Sequence, residues 1–176
     1  MKKALFILSA LNNDDLDWIV EKGRKLALPP NKILIHEHQP IDALYIVLSG
    51  LLKVTIAEDR ELAQIGSGEV VGEISFLDSR LPLATVQAVT ESLVLEVPRF
   101  QITNRLRQDA EFAARFYEAL SLCLADRIRS TVGRLGYGQE QDLTESQLND
   151  FSQEKQSQLQ LAEIKFHWLA TKAHSR

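Results

Sequence analysis

The stretch Ile65-Gly66-Ser67-Gly68-Glu69-Val70-Val71-Gly72-Glu73-Ile74-Ser75-Phe76-Leu77 decides how the rest of the chain is read. Gly66-Ser67-Gly68 marks a turn. From Gly72 to Leu83 the β pattern stops, for about the length of one helical turn and a loop. On both sides of this interruption the chain reads as short strands. KILIHEH (32–38), ALYIVLSG (43–50), LLKVTIAE (51–58) and ELAQIG (61–66) come before it, ATVQAVT (84–90) and SLVLEV (92–97) after it. Pro29-Pro30-Asn31, Gln39-Pro40, Ser49-Gly50 and Asp59-Arg60 separate them as turns. Short, regularly spaced strands with no long helix between them predict an antiparallel sandwich or barrel.

Helices flank the β region. Residues 4–10 read as a short apolar helix. Asn12 and Asn13 offer a cap for a second one, in which Leu16, Ile19 and Val20 share a face and Gly23 is the stop. After Pro98 the period becomes helical. RFQITNRLRQD forms a short helix, and residues 109–135 form the longest, with Phe112, Phe116, Leu120, Leu124, Ile128, Val132 and Leu135 recurring about every four residues. Gly136-Tyr137-Gly138 reads as its stop, 136–158 as a polar linker, and 159–176 as a tail with a short amphipathic helix, LQLAEIKFHWLA.

The bulk properties suit this reading. The chain has 176 residues, 45% hydrophobic and 25% charged. That is enough for one core with an appendage and excludes a mainly disordered or low-complexity chain. The net charge of −4 argues against nucleic-acid binding by the whole chain, while leaving room for a local anion site. The single cysteine, Cys123, forbids an intrachain disulfide and points to a reducing cytoplasm. The apolar run in MKKALFILSALNNDD ends in acids without a small-residue cleavage site, so a secretory signal is not expected, nor is a membrane span.

The order of elements, and three segments within it, resemble the cyclic-nucleotide-binding domain of the catabolite-activator and kinase-regulatory-subunit superfamily. Ala43-Leu44-Tyr45-Ile46-Val47-Leu48-Ser49-Gly50 resembles that family's hairpin signature. Ile65 to Leu77 resembles the approach to its phosphate-binding cassette, and Ala84-Thr85-Val86 the strand that leaves it. The resemblance implies a mainly β, α+β fold. It consists of an eight-stranded antiparallel jelly-roll barrel (26–135 with its following helices), N-terminal helices over 1–25 and a long C-terminal helix. It also implies a ligand, cyclic AMP or cyclic GMP, held by a cassette made of Gly72, Glu73, Ile74, Ser75, Leu83, Ala84 and Thr85. Gly72 allows close backbone approach. The first turn after it presents free N–H groups to a phosphate. The family assigns the counterpart of Glu73 to the ribose 2′-hydroxyl.

One position departs from the family. The arginine that pairs with the phosphate falls, by register, on Pro82, which has neither charge nor N–H, and the next residue is Leu83. Losing a charge-assisted bidentate contact costs about 1.5–3 kcal/mol. Arg80, two residues earlier, is the candidate replacement.

Other constellations carry less. His36 and His38 are two apart on an expected strand, but no acidic or cysteine cluster completes a metal site. Cys123 reads as a small buried hydrophobe. No Ser/His/Asp set, P-loop or GxGxxG is present, so no catalytic residue and no enzyme is expected. The long helix, through Phe112, Phe116, Leu120, Leu124 and Ile128, suggests a homodimer. Phe166 and Trp168 in the tail suggest anchors for an unidentified protein partner. Residues 136–176 hold six acids and four Lys/Arg, so no DNA-binding segment is expected there. Two readings follow: a regulatory ligand sensor that signals to a protein, or a degenerate domain that binds no nucleotide and serves as an interaction module.

Overall fold

The computed structural model describes residues 6–57, 60–134 and 153–174. The elements run α1 (Phe6–Ala10), α2 (Asn13–Lys22), β1 (Arg24–Leu28), β2 (Ile33–Ile35), β3 (Ala43–Ser49), β4 (Leu52–Ile56), β5 (Arg60–Ile65), β6 (Val70–Val71), α3 (Glu73–Asp78), β7 (Thr85–Ala88), β8 (Ser92–Pro98), α4 (Arg99–Gln108), α5 (Ala110–Arg134) and α6 (Gln153–His174).

The eight strands form two four-stranded antiparallel sheets, in the orders β1-β8-β3-β6 and β2-β7-β4-β5. The jelly-roll expectation holds, as a pair of sheets rather than one closed barrel. β1 and β6 complete the count beyond the six runs legible as strands. β3 explains the architecture. Its residues 43–48 are all buried, because alternate side chains enter different cores. Ala43, Tyr45 and Val47 join Leu52, Val86 and Val94 between the sheets. Leu44, Ile46 and Leu48 face the helices, with Leu16, Ile102, Phe112 and Phe116.

The expected α2 cap forms as a capping box: Asn12 accepts from the Asp15 amide at 2.8 Å, and Asp15 accepts from the Asn12 amide at 3.0 Å. The fully buried Asp15 carboxylate also binds Arg105 of α4 at 3.0 Å and Arg115 of α5 at 2.7 Å. The Arg105 guanidinium lies over the rings of Trp18 and Phe112. One ion cluster thus ties α2, α4 and α5 together.

Two expectations are corrected. His36 and His38 lie beyond the end of β2, and His38 sits in a left-handed turn (φ 59°), so they do not share a strand face. No metal-binding group of acids, histidines and cysteines occurs among the described residues. The tail helix starts at Gln153, six residues inside the expected linker. Residues 153–158 are good helix formers (Gln, Glu, Lys) without an apolar period to announce them. The Gly136-Tyr137-Gly138 stop lies outside the described residues.

α6 has its surface in this chain. Leu169 and Ala173 are buried against α1 and α2. Lys165 Nζ donates to the carbonyls of Ser9 and Leu11, and Lys172 pairs with Asp17. Phe166 and Trp168, expected as anchors for a partner, pack half-buried onto this same core. No described helix is long and apolar enough to cross a membrane.

Candidate ligand-binding site

Gly72 turns the chain from β6 into α3. Its φ of 91° is left-handed, and a Cβ there would sit 3.0 Å from Ile41 Cδ1 and 3.1 Å from the Ala43 carbonyl. The turn delivers Glu73 inward. This carboxylate is 1% exposed, and α3 alone gives it no counter-ion.

The counter-ion comes from α5. Arg127 Nη1 donates to Glu73 Oε1, and Arg127 Nη2 donates to the carbonyl of Val70, the first residue of β6. Burial pushes the Glu73 carboxyl above its ordinary range, and Arg127 opposes that shift. α3 and α5 meet a second time where the Phe76 ring packs edge-on against Phe116, 5.7 Å between centroids. The far end of α3 is held by Arg99, the first residue of α4. Its guanidinium donates to the Ser75 and Phe76 carbonyls, both at 2.9 Å, and to Ser79 Oγ at 3.0 Å. A cation on the last carbonyls of a helix is favourably placed.

Beside this turn lies an open cavity of about 100 Å³. Gly72, Glu73, Ile74, Ser75, Pro82, Leu83 and Ala84 line it, with Ile35, Ile41, Val54, Ile65, Val71 and Val86 from the sheets and Arg127 from α5. Six of the eight expected ligand residues therefore come together around one space. Two do not. Arg80 points to solvent, with its side chain 83% exposed and 3.8 Å from Asp78. Thr85 is outside the cavity wall, and its hydroxyl accepts from the Glu37 amide at 3.2 Å. The register-based phosphate position is filled by buried Pro82, whose carbonyl accepts from the His38 amide at 2.9 Å, and by Leu83, 67% exposed at the mouth.

The stripe on α5 divides. Phe112, Phe116 and Leu120 are buried in the chain's own core and are not available to a second copy, because the helical layer over β3 needs them. Leu124 is half-buried, and Ile128 and Val132 are exposed at 63% and 41%. Cys123 lies on the buried side, and burial pushes its thiol up to about 12, so it is inert.

Arg127 and Arg99 are the site residues that sequence reading did not assign. Arg127 carried a signal. Phe116, Leu120, Cys123 and Arg127 follow one another at helical spacing, so the arginine ends a buried face and needs an acid. Arg99 carried none, because two of its three partners are backbone carbonyls and the third is the neutral Ser79 hydroxyl.

Two facing sheets, interrupted by a Gly-Glu helical turn beside a cavity and closed by a long helix, define a class of regulatory ligand-binding fold. The sequence profile of the Cyclic nucleotide-binding domain matches residues 25–109, and this region of the chain belongs to the cyclic-nucleotide-binding domain superfamily. The chain is similar to the catabolite activator protein of Thermus thermophilus (25% identity, TM-score 0.62, covering 75% of this chain and 62% of that one). It shares its fold with a cyclic nucleotide-binding domain from Methylobacillus flagellatus (20% identity, TM-score 0.67, 75% and 77% covered). It is also similar to an uncharacterized NTE family protein of Mycobacterium tuberculosis, 25% identical over 100 residues. That match takes in 57% of this chain and 17% of the relative, so the chain spans about a sixth of that relative's length.

Proposed function

We propose that the chain is a regulatory module in which α5 reads the occupancy of the cavity and passes the change to a protein surface. The observation that carries this reading is the link from Arg127 of α5 to Glu73 and the Val70 carbonyl at the cavity floor. A ligand that hydrogen-bonds Glu73 competes with Arg127, and a ligand that displaces it frees the C-terminal half of α5. That half exposes Ile128 and Val132, a surface suited to a second copy of the chain or to another protein. Differential affinity of a ligand for the linked and released states is what such a switch requires.

The family suggests cyclic AMP or cyclic GMP as the ligand, with Glu73 on the ribose 2′-hydroxyl. Calorimetry with both, and with cyclic dinucleotides, tests this. Saturable binding weakened by Glu73→Ala supports it, and no heat at millimolar ligand removes it.

A specific observation favours the second reading, an interaction module that binds no nucleotide: Arg127 already occupies Glu73, and Pro82 stands at the phosphate position. Under that reading α5 keeps its position whatever small molecule is added, and only a protein partner changes it.

A further inference from the structure

We infer that the cavity beside Gly72 takes a small, electrically neutral and mostly apolar ligand rather than a cyclic phosphodiester. This ligand class rests on the cavity being a ligand site, as proposed above.

Charge is the first ground. Among the described residues the formal charges in the cavity wall are Glu73 and Arg127, and they bind each other, so the wall sums to zero. A monoanion entering it gives up water and meets no uncompensated cation. If it takes Arg127 for itself, Glu73 is left unpaired at 1% exposure. If it does not, it faces a buried carboxylate. Both routes oppose an anion, while a neutral molecule adds no charge and can still share Glu73 with Arg127 through a hydroxyl hydrogen bond.

The mouth is the second ground. Leu83 and Ile74 stand there, 67% and 46% exposed, and buried Pro82 lines the wall without an N–H to give. The loop's own cation, Arg80, is turned to solvent beside Asp78. Exposed apolar side chains at a cavity mouth lose water when an apolar ligand arrives.

The third ground is that the space is left open. Ile35, Val71 and Val86 from the two sheets form apolar walls that no side chain fills. At about 100 Å³, open to solvent on one side, the cavity takes a compact molecule rather than a whole nucleotide.

The test uses the full chain and a matched pair of probes, 2-naphthol, neutral at pH 7, and 2-naphthoate, the same ring system with a carboxylate. Calorimetry measures affinity, and backbone amide shifts at Val71 and Ala84 locate the site. Saturable 2-naphthol binding, about tenfold or more tighter than 2-naphthoate, is expected. Ala84→Phe, which fills the cavity, abolishes it. Leu83→Arg, a change at an exposed position that leaves the core intact, narrows or reverses the preference. Equal or tighter binding of 2-naphthoate or cyclic AMP overturns the ligand class, as does 2-naphthol binding that survives Ala84→Phe or its absence at the solubility limit. Failure of the regulatory reading looks different: 2-naphthol binds in the cavity and amide exchange in α5 does not change.

Discussion

Arg127 and Glu73, fifty-four residues apart in sequence, meet where the long helix crosses the floor of the cavity. Neither residue would be stable in its position without the other. Glu73 is nearly inaccessible, and Arg127 ends the buried face of α5. The pair is therefore both a structural requirement and the physical contact between the candidate site and the helix that leaves it.

Removing one partner should cost more than removing both. Arg127→Met leaves a buried carboxylate without a counter-ion and is expected to destabilise the fold by about 3 kcal/mol. Combining it with Glu73→Gln recovers a large part of that loss. Urea denaturation of the four proteins in the double-mutant cycle checks this. Additive effects would mean that the pair is not coupled.

Glu73 also sets a pH dependence. Burial raises its folded-state pKa above the ordinary value of 4.5, so the folded chain takes up this proton before the unfolded chain does. Its contribution to stability is therefore greatest at low pH, and it declines as pH rises through the unfolded and then the folded pKa. Stability of the wild type relative to Glu73→Gln should rise as pH falls toward the ordinary value of 4.5 and level off below it. A relative stability that falls with acid would show that the ion pair outweighs desolvation.

The Asp15 cluster should be the strongest single electrostatic element. Asp15 is fully buried, closes the capping box of α2 and pairs with Arg105 and Arg115. Asp15→Ala leaves Arg105 and Arg115 only their weaker partners Asp109 and Glu111 and removes the carboxylate half of the capping box, and should cost about 3–5 kcal/mol in chemical denaturation. A loss under about 1 kcal/mol, the range of exposed pairs, would contradict the burial argument.

Pro82→Arg restores the charge that the family places in the loop. It should raise affinity for cyclic AMP about tenfold or more over the wild type, while Arg80→Ala leaves that affinity unchanged. Calorimetry reads both. No gain from Pro82→Arg would mean that the loop cannot present a cation to the cavity.

The β fold and its interruption at Gly72 were legible because strand runs, turn residues and one glycine-opened segment are local signals. Six of the eight cassette residues came with them, since they adjoin the same turn. What stayed hidden is long-range. β6 is two residues long and gives no period. The stripe on α5 looked like one surface, because periodicity cannot tell burial in the chain's own core from burial against another chain. Phe112, Phe116 and Leu120 took the first course, and Ile128 remained exposed. Arg80 was the obvious cation by sequence proximity, yet the cation at the cavity, Arg127, arrives from another element. Arg99 acts mainly through carbonyls, which every residue carries, so its role has no sequence signature.

The most direct measurement is amide hydrogen exchange across α5, residues 124–134, in the full chain. It is taken with and without a probe that saturates the cavity, as judged by shifts at Val71 and Ala84. The proposed link through Arg127 predicts that exchange in this half of α5 changes on occupancy and that Glu73→Gln produces a change there without any ligand. A saturated cavity with unchanged exchange in α5 would contradict it.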